Sequence, residues 1–176
     1  MTTSQPEPWL RGPLPGIPPL LQPVAHAFVM AREDVTSAVE GLSPVEVWTA
    51  PFAVTPVGFH VAHLTGSTDR LLTYARGAAL DETQKAALGR ERMMAVERPP
   101  LDTLVAAWQA TVARALEQLA ATDPATLSET RAVGRDRLPS TVLGLLFHAA
   151  EHAARHTGQV VSTTRFVRAA TAASAS

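Results

Sequence analysis

Three histidines recur at four-residue intervals in LLFHAAEHAARHTGQ, the segment that spans residues 145–159. The segment is typical of a continuous helix, and residues four apart on a helix lie on one face, one turn above the other. Neutral imidazoles at that spacing can point at a single divalent cation. His148, His152 and His156 therefore indicate a metal site.

The spacing limits which histidines can share one ion. His148 and His156 are about 12 Å apart along a helix axis, too far for two metal–nitrogen bonds of about 2.0–2.1 Å. The helix thus supplies one adjacent pair, either His148 with His152 or His152 with His156. The third ligand must come from another helix, where VGFHVAHLTGS offers His60 and His63. Three protein ligands with water at a further position are typical of a catalytic metal site rather than a structural one.

The stretch from His148 to His152 also matches H-x-x-E-H, the inverted zinc-peptidase pattern, in which Glu151 would be the general base. Short patterns of this kind arise often in alanine-rich helices, and no acidic residue follows Glu151 to serve as a carboxylate ligand. The alternative is an exposed Glu151 that pairs with Arg155 one turn later. The sequence favours this alternative over a peptidase.

The composition excludes several other classes of protein. Cysteine is absent, so disulfides, thiolate ligands and cysteine nucleophiles are excluded, and a metal must be held by His, Asp or Glu. The net charge is −1 and no basic block stands out, which argues against a nucleic-acid partner. The first residues lack a signal pattern, and no apolar run approaches the ~18 residues of a membrane span. We therefore expect a cytoplasmic protein with no membrane partner.

Hydrophobic periodicity predicts long helices and almost no strand. A short helix is expected in DETQKAALGRERMMAV, and a brief extended stretch around residues 131–133. The long insertion between the second and third helices allows that connection to cross over instead of forming a tight hairpin. The four long helices are predicted from about Leu20 to Glu40 with Gly41 as the stop, from an N-cap at Thr55 to about Arg76, over residues 101–121, and from Pro139 or Ser140 to about Arg168.

Four amphipathic helices in a chain of 176 residues predict one all-α domain, a four-helix bundle, over residues 20–169. Residues 1–19 contain six prolines and are expected to form an arm that is laid over the domain or left loose. Residues 170–176 are expected to form a flexible tail.

Two stretches of the sequence resemble a known family. VGFHVAHLTGSTDRLLTYARG resembles the second-helix motif of the DinB/YfiT-like superfamily, and LPSTVLGLLFHAAEHAARHTGQVV resembles its last-helix motif. Weaker similarity extends over most of the chain except the proline-rich arm. The resemblance implies a four-helix bundle of the DinB/YfiT-like type, often a homodimer, that binds a divalent metal through three histidines. One ligand comes from the second helix and two from the last.

Matched by position, the motifs of the family imply that the metal ligands are His63, His152 and His156. His60 and His148 would then lie beside the site or pack within the bundle. Candidates for proton transfer during catalysis are His60, His148 and Glu151. Candidates for contacts with the ligands or the substrate are His60, His148, Gln159, Arg70 and Tyr74. Arg70 and Tyr74 also have structural alternatives: Arg70 as an exposed pair with Asp69, and Tyr74 as a packed aromatic.

The resemblance further implies a metal-dependent enzyme, because several relatives transfer low-molecular-weight thiols such as bacillithiol or mycothiol, or isomerise maleylpyruvate with mycothiol. Zinc is the first expectation for the ion, with nickel, iron or manganese as alternatives, because imidazole suits several metals. The expected reaction is attack by a small thiol or water on a small electrophilic substrate, by a thiol transferase or a hydrolase. A rival of another class is a non-catalytic bundle that binds a small molecule or a partner protein.

Overall fold

Four long helices form the core of the protein. The computed structural model describes residues 5–174, in which 3-10 turns also occur at Pro8–Leu10, Pro19–Leu21, Pro51–Ala53 and Pro124–Thr126. In chain order the elements are α1 (Gln22–Val39), α2 (Pro44–Trp48), α3 (Val57–Ala75), α4 (Glu82–Glu91), α5 (Met94–Glu97), α6 (Leu101–Ala121), β1 (Thr130–Val133), β2 (Leu138–Thr141) and α7 (Val142–Ser174). The fold is all-α, as predicted, with one two-stranded hairpin among the described residues.

The four long helices pack in a ring around one hydrophobic core. Both α1 and α3 contact α6 and α7, which places α1 diagonally opposite α3 in the bundle. The core is built from large side chains that are completely buried, because each long helix turns one apolar stripe inward. Among the most deeply buried are Phe28 of α1, Leu64 of α3, Trp108 of α6 and Leu146 of α7.

Contacts between the helices give their directions. The carbonyl of Glu40, after α1, accepts a 2.6 Å hydrogen bond from Arg168 near the end of α7, so these helices run parallel. α3 and α6 also run parallel, because Trp48 before α3 donates to the carbonyl of Pro99 before α6, and Gln118 near the end of α6 donates to the carbonyl of Leu72. The connection that contains α4 and α5 must therefore return along the length of the bundle.

Two helix starts differ from the sequence prediction. Thr55 does not cap α3, whose N-cap is Pro56 without a side-chain hydrogen bond. Pro139 and Ser140 do not begin the last helix, because they lie in β2, which pairs antiparallel with β1 and places Ser140 opposite Arg131. α7 begins directly after this strand, and the Thr141 hydroxyl accepts a hydrogen bond from the backbone of Gly144. The extended stretch predicted around residues 131–133 is present as β1.

Both ends of the described chain are attached to the bundle. The side chain of Gln22 accepts a hydrogen bond from the backbone of Leu14 and donates to the carbonyls of Leu14 and Ile17, so the arm is laid against α1. Residues 170–174, for which a flexible tail was predicted, continue α7, in keeping with the high helix propensity of alanine. Residues 1–4 and 175–176 lie outside the described residues. Between residues 5 and 174, no helix is both long and apolar enough to cross a membrane.

Candidate metal centre

Two histidines of α3 lie at the edge of its buried face. Val57, Val61 and Leu64 are fully buried and turn this face of α3 into the core. His60 follows Val57 by three residues and is itself 7% exposed. His63 lies one turn after His60, and its side chain is 21% exposed. The helix thus presents one buried and one partly buried imidazole towards its neighbour.

Two histidines of α7 contact the two histidines of α3, and the order of these contacts shows that the two helices run antiparallel. Nδ1 of His60 lies 3.1 Å from Nδ1 of His156, whereas Nε2 of His63 lies 2.9 Å from Nε2 of His152. Ala153 is completely buried between these positions, so the contact face of α7 is narrow and the backbones can approach closely. The register of the two helices therefore sets which imidazoles meet.

His63, His152 and His156 form a group in which one nitrogen from each ring lies within 4.8 Å of the other two. Two nitrogens bound to one tetrahedral ion at about 2.0–2.1 Å would be about 3.3 Å apart. The 2.9 Å separation of the His63 and His152 nitrogens is close to that value. The donor set is entirely imidazole, a ligand type that suits zinc and several other divalent metals. These three residues therefore fit a metal ion.

The surroundings favour neutral imidazoles, which is the form that binds metal. Burial, followed by the nearby charge of His63, lowers the pKa of His60 below its usual value. The pKa of His152 is lowered by burial and then by His63, His148 and Arg155. Burial, followed by the neighbouring imidazoles, lowers the pKa of His156 to about 4.

Glu91, the last residue of α4, joins the centre from the side. One carboxylate oxygen of Glu91 lies 3.1 Å from Nδ1 of His63, and the other accepts a 2.5 Å hydrogen bond from Arg70. Burial raises the pKa of Glu91, but the hydrogen bonds from His63 and Arg70 outweigh it, so the pKa is lowered overall. Phe59 covers the other side, with its ring parallel to that of His63 at a centroid distance of 5.9 Å.

His148 lies at the edge of this cluster. Its ring centroid is 5.7 Å from that of His152, but its side chain is 50% exposed and it does not belong to the group of three. Glu151 accepts a 2.6 Å hydrogen bond from Arg155, the i,i+4 pair that the sequence favoured, and lies 3.4 Å from Nδ1 of His148. Of the two histidines of the peptidase pattern, only His152 thus belongs to the group of three.

Two other candidates lie apart from the cluster. Gln159 is exposed, and within residues 5–174 its side chain makes no hydrogen bond to His156. Tyr74 is eleven residues after His63, about 16 Å along the helix axis, and packs against the hydrophobic core. The described structure therefore gives neither residue a contact with the three histidines.

Arg70 and Asp69 do not form the exposed pair that the sequence suggested. The Arg70 side chain is only 12% exposed and binds Glu91, whereas the carboxylate of Asp69 accepts a hydrogen bond from Gln84 of α4. Sequence reasoning missed Glu91 because it lies in an insertion with no fixed spacing to the histidines. The local feature that points to it is Gly66, because glycine permits another group to approach the backbone closely.

Comparison with known protein families agrees with the all-α fold. No curated protein matches the chain. A family model described as the DinB superfamily matches residues 27–160. This range contains most of α1, all of α3, and α7 as far as Val160. The match covers 134 of the 176 residues, so the chain belongs to the DinB superfamily.

Proposed function

We propose that the protein is a metal-dependent enzyme whose ion is held by His63, His152 and His156. The observation that supports this most directly is the convergence of three imidazoles from two antiparallel helices, with one nitrogen of each within 4.8 Å of the others. Partial burial of several imidazoles costs desolvation at each of them, and a shared cation offsets that cost. Zinc is the proposed ion, and nickel, iron or manganese are alternatives to be separated by elemental analysis.

Three protein ligands leave a further coordination position for water or substrate, as in catalytic zinc sites. When bound, such an ion lowers the pKa of a thiol or water and polarises a substrate oxygen. We therefore propose attack by a small thiol or by water on a small electrophilic substrate. The chain has no cysteine, so a thiol nucleophile would have to be a separate low-molecular-weight molecule.

Other residues of the protein orient the imidazoles of this site and shield them from water. Nδ1 of His60 lies 3.1 Å from Nδ1 of His156, so one of these two nitrogens must donate a hydrogen bond and the other accept it, and this contact orients both rings. Phe59 shields one face of His63 from water. His148 is exposed and Glu151 partly exposed beside the cluster, and we propose these two side chains as the groups that exchange a proton with the substrate.

Elemental analysis of the purified protein tests the proposal. We expect about one divalent ion per chain, and we expect chelation to lower the melting temperature and remove activity in a panel of thiol-transfer and hydrolysis assays. Metal far below one per chain, with melting unchanged by chelation, would instead support the non-catalytic binding bundle. The homodimer remains a prediction, which light scattering of the metal-loaded protein tests.

A further inference from the structure

Glu91 connects the metal centre to a helix that is otherwise weakly attached. None of the residues of α4 is buried, so the helix contributes nothing to the hydrophobic core. Its side chains meet α3 at two places. Near its start, Gln84 donates hydrogen bonds to Asp69 and Thr73. At its end, Glu91 meets His63 and Arg70.

The contact at Glu91 is more buried than a surface ion pair. The side chains of Glu91 and Arg70 are both 12% exposed, and His63 is 21% exposed. A carboxylate removed from water in this way is retained at low cost only if its oxygens are bonded. Here each oxygen has its own partner, one imidazole and one guanidinium.

In the observed arrangement, the carboxylate of Glu91 occupies the space that a side chain at residue 66 would need. A Cβ atom at Gly66 would come 2.3 Å from Oε1 of Glu91 and 2.8 Å from Nη1 of Arg70. Gly66 lies three residues after His63 and four before Arg70, on the same face of the helix. A glycine inside a helix destabilises the helix by roughly 0.5–1 kcal/mol relative to alanine. Helix stability therefore does not account for a glycine at residue 66, whereas the close approach of Glu91 does.

The pairing of His63 has a chemical consequence at its other nitrogen. An ionised carboxylate only accepts hydrogen bonds, so Nδ1 of His63 must carry the proton that it donates to Glu91. Nε2 is then unprotonated in the neutral ring, and this is the atom that lies 2.9 Å from Nε2 of His152. A carboxylate on the remote nitrogen fixes ring orientation and makes the ligand nitrogen more basic.

We propose that Glu91 is a positioning residue for the metal centre: supported by Arg70 and admitted by Gly66, it holds His63 as the Nδ1–H tautomer with Nε2 directed at the ion. This role rests on the proposed function, because it concerns the same three-histidine site. It assigns α4, which has no buried residue, a contribution to metal affinity rather than to the hydrophobic core.

Four variants test the role of Glu91. Glu91→Ala removes the acceptor, and Glu91→Gln keeps the size and a carbonyl acceptor but not the charge. Gly66→Ala displaces the carboxylate without deleting it. Gln84→Ala is the matched control, because it breaks the other attachment of α4 and leaves the contact with His63 in place.

The first measurement is the tautomer of His63 in the metal-free protein, from imidazole ¹⁵N chemical shifts. We expect the Nδ1–H form in the wild type, Gln84→Ala and Glu91→Gln, and a mixture of tautomers in Glu91→Ala and Gly66→Ala. The second is the zinc dissociation constant from competition with a chromophoric chelator. Glu91→Ala should weaken zinc binding about 10–100-fold, the usual effect of losing such a partner, and Glu91→Gln should weaken it less.

Equal losses of zinc affinity in Gln84→Ala and Glu91→Ala would overturn the proposal, because they would show that α4 acts only as a structural support. An unchanged tautomer in Glu91→Ala would overturn it as well. Failure of the proposed function looks different: the wild type would then bind no zinc, while the tautomer measurement would still report on Glu91.

Discussion

Replacing single histidines of α7 should separate ligands from neighbours through the stabilisation that zinc confers. A ligand that binds only the folded state stabilises it by RT ln(1 + [L]/Kd), about 2.7 kcal/mol at one hundred times Kd. For a chain of this length each kcal/mol corresponds to about 2–4 °C in melting temperature. Zinc should therefore raise the melting temperature of the chelator-treated wild type by about 5–11 °C.

The substitutions His152→Ala and His156→Ala should each abolish this shift, because either one leaves only two of the three clustered imidazoles. His148→Ala is the matched control, since it lies on the same helix with a half-exposed side chain outside the group. It should keep most of the shift. Circular dichroism at 222 nm, recorded with and without zinc for each variant, measures these differences.

The reverse ranking would refute the assignment. Loss of the shift in His148→Ala with its retention in His156→Ala would mean that the functional pair is His148 with His152. A shift that survives in all three variants would mean that zinc binds elsewhere. A variant that melts lower than the wild type without zinc is still informative, because the shift is measured against its own metal-free form.

Two further predictions concern the metal-free protein. Because His156 has a pKa of about 4 when folded and near 6.5 when unfolded, the unfolded state binds more protons between these values. Stability should fall as the pH drops from about 6.5 towards 4, and less steeply in His156→Gln, as urea titrations at pH 7 and pH 5 can show. Gly58→Ala should cost about 1–3 kcal/mol, because its Cβ would lie 2.6 Å from the ring of Trp48, whereas Gly89→Ala, with open space around it, should not destabilise in the same titration.

Local patterns in the sequence predicted much of the fold. The first and third long helices begin and end within two residues of the prediction, because each has an apolar stripe of helical period and a clear stop. Gly41 adopts a left-handed φ of 76° directly after Glu40, the C-cap of α1, as a helix-ending glycine commonly does. The start of the last helix was wrong, because the pairing of Ser140 with Arg131 depends on a distant segment that no local pattern reveals.

The candidate site was predictable in kind but not in detail. Spacing alone showed that the histidines of the last helix could supply one adjacent pair, yet it treated the two possible pairs as equivalent. Glu91 was not predictable, because its contact with His63 depends on how an insertion without buried residues folds back over α3. In the sequence, the local feature that indicates this contact is Gly66, a glycine in the middle of α3.

Helix register explains why His156 and not His148 completes the group. Since α3 and α7 are antiparallel, His60 meets His156 and His63 meets His152. The same register places His148 level with Ser67, whose hydroxyl is bonded to the carbonyl of His63 and offers no imidazole. By spacing alone, the two adjacent histidine pairs of α7 are equivalent. The neighbouring helix α3 makes them different, because it has histidines at only two levels. The choice of metal ligands on such a helix therefore depends on the helix that faces it as much as on the spacing of its own histidines.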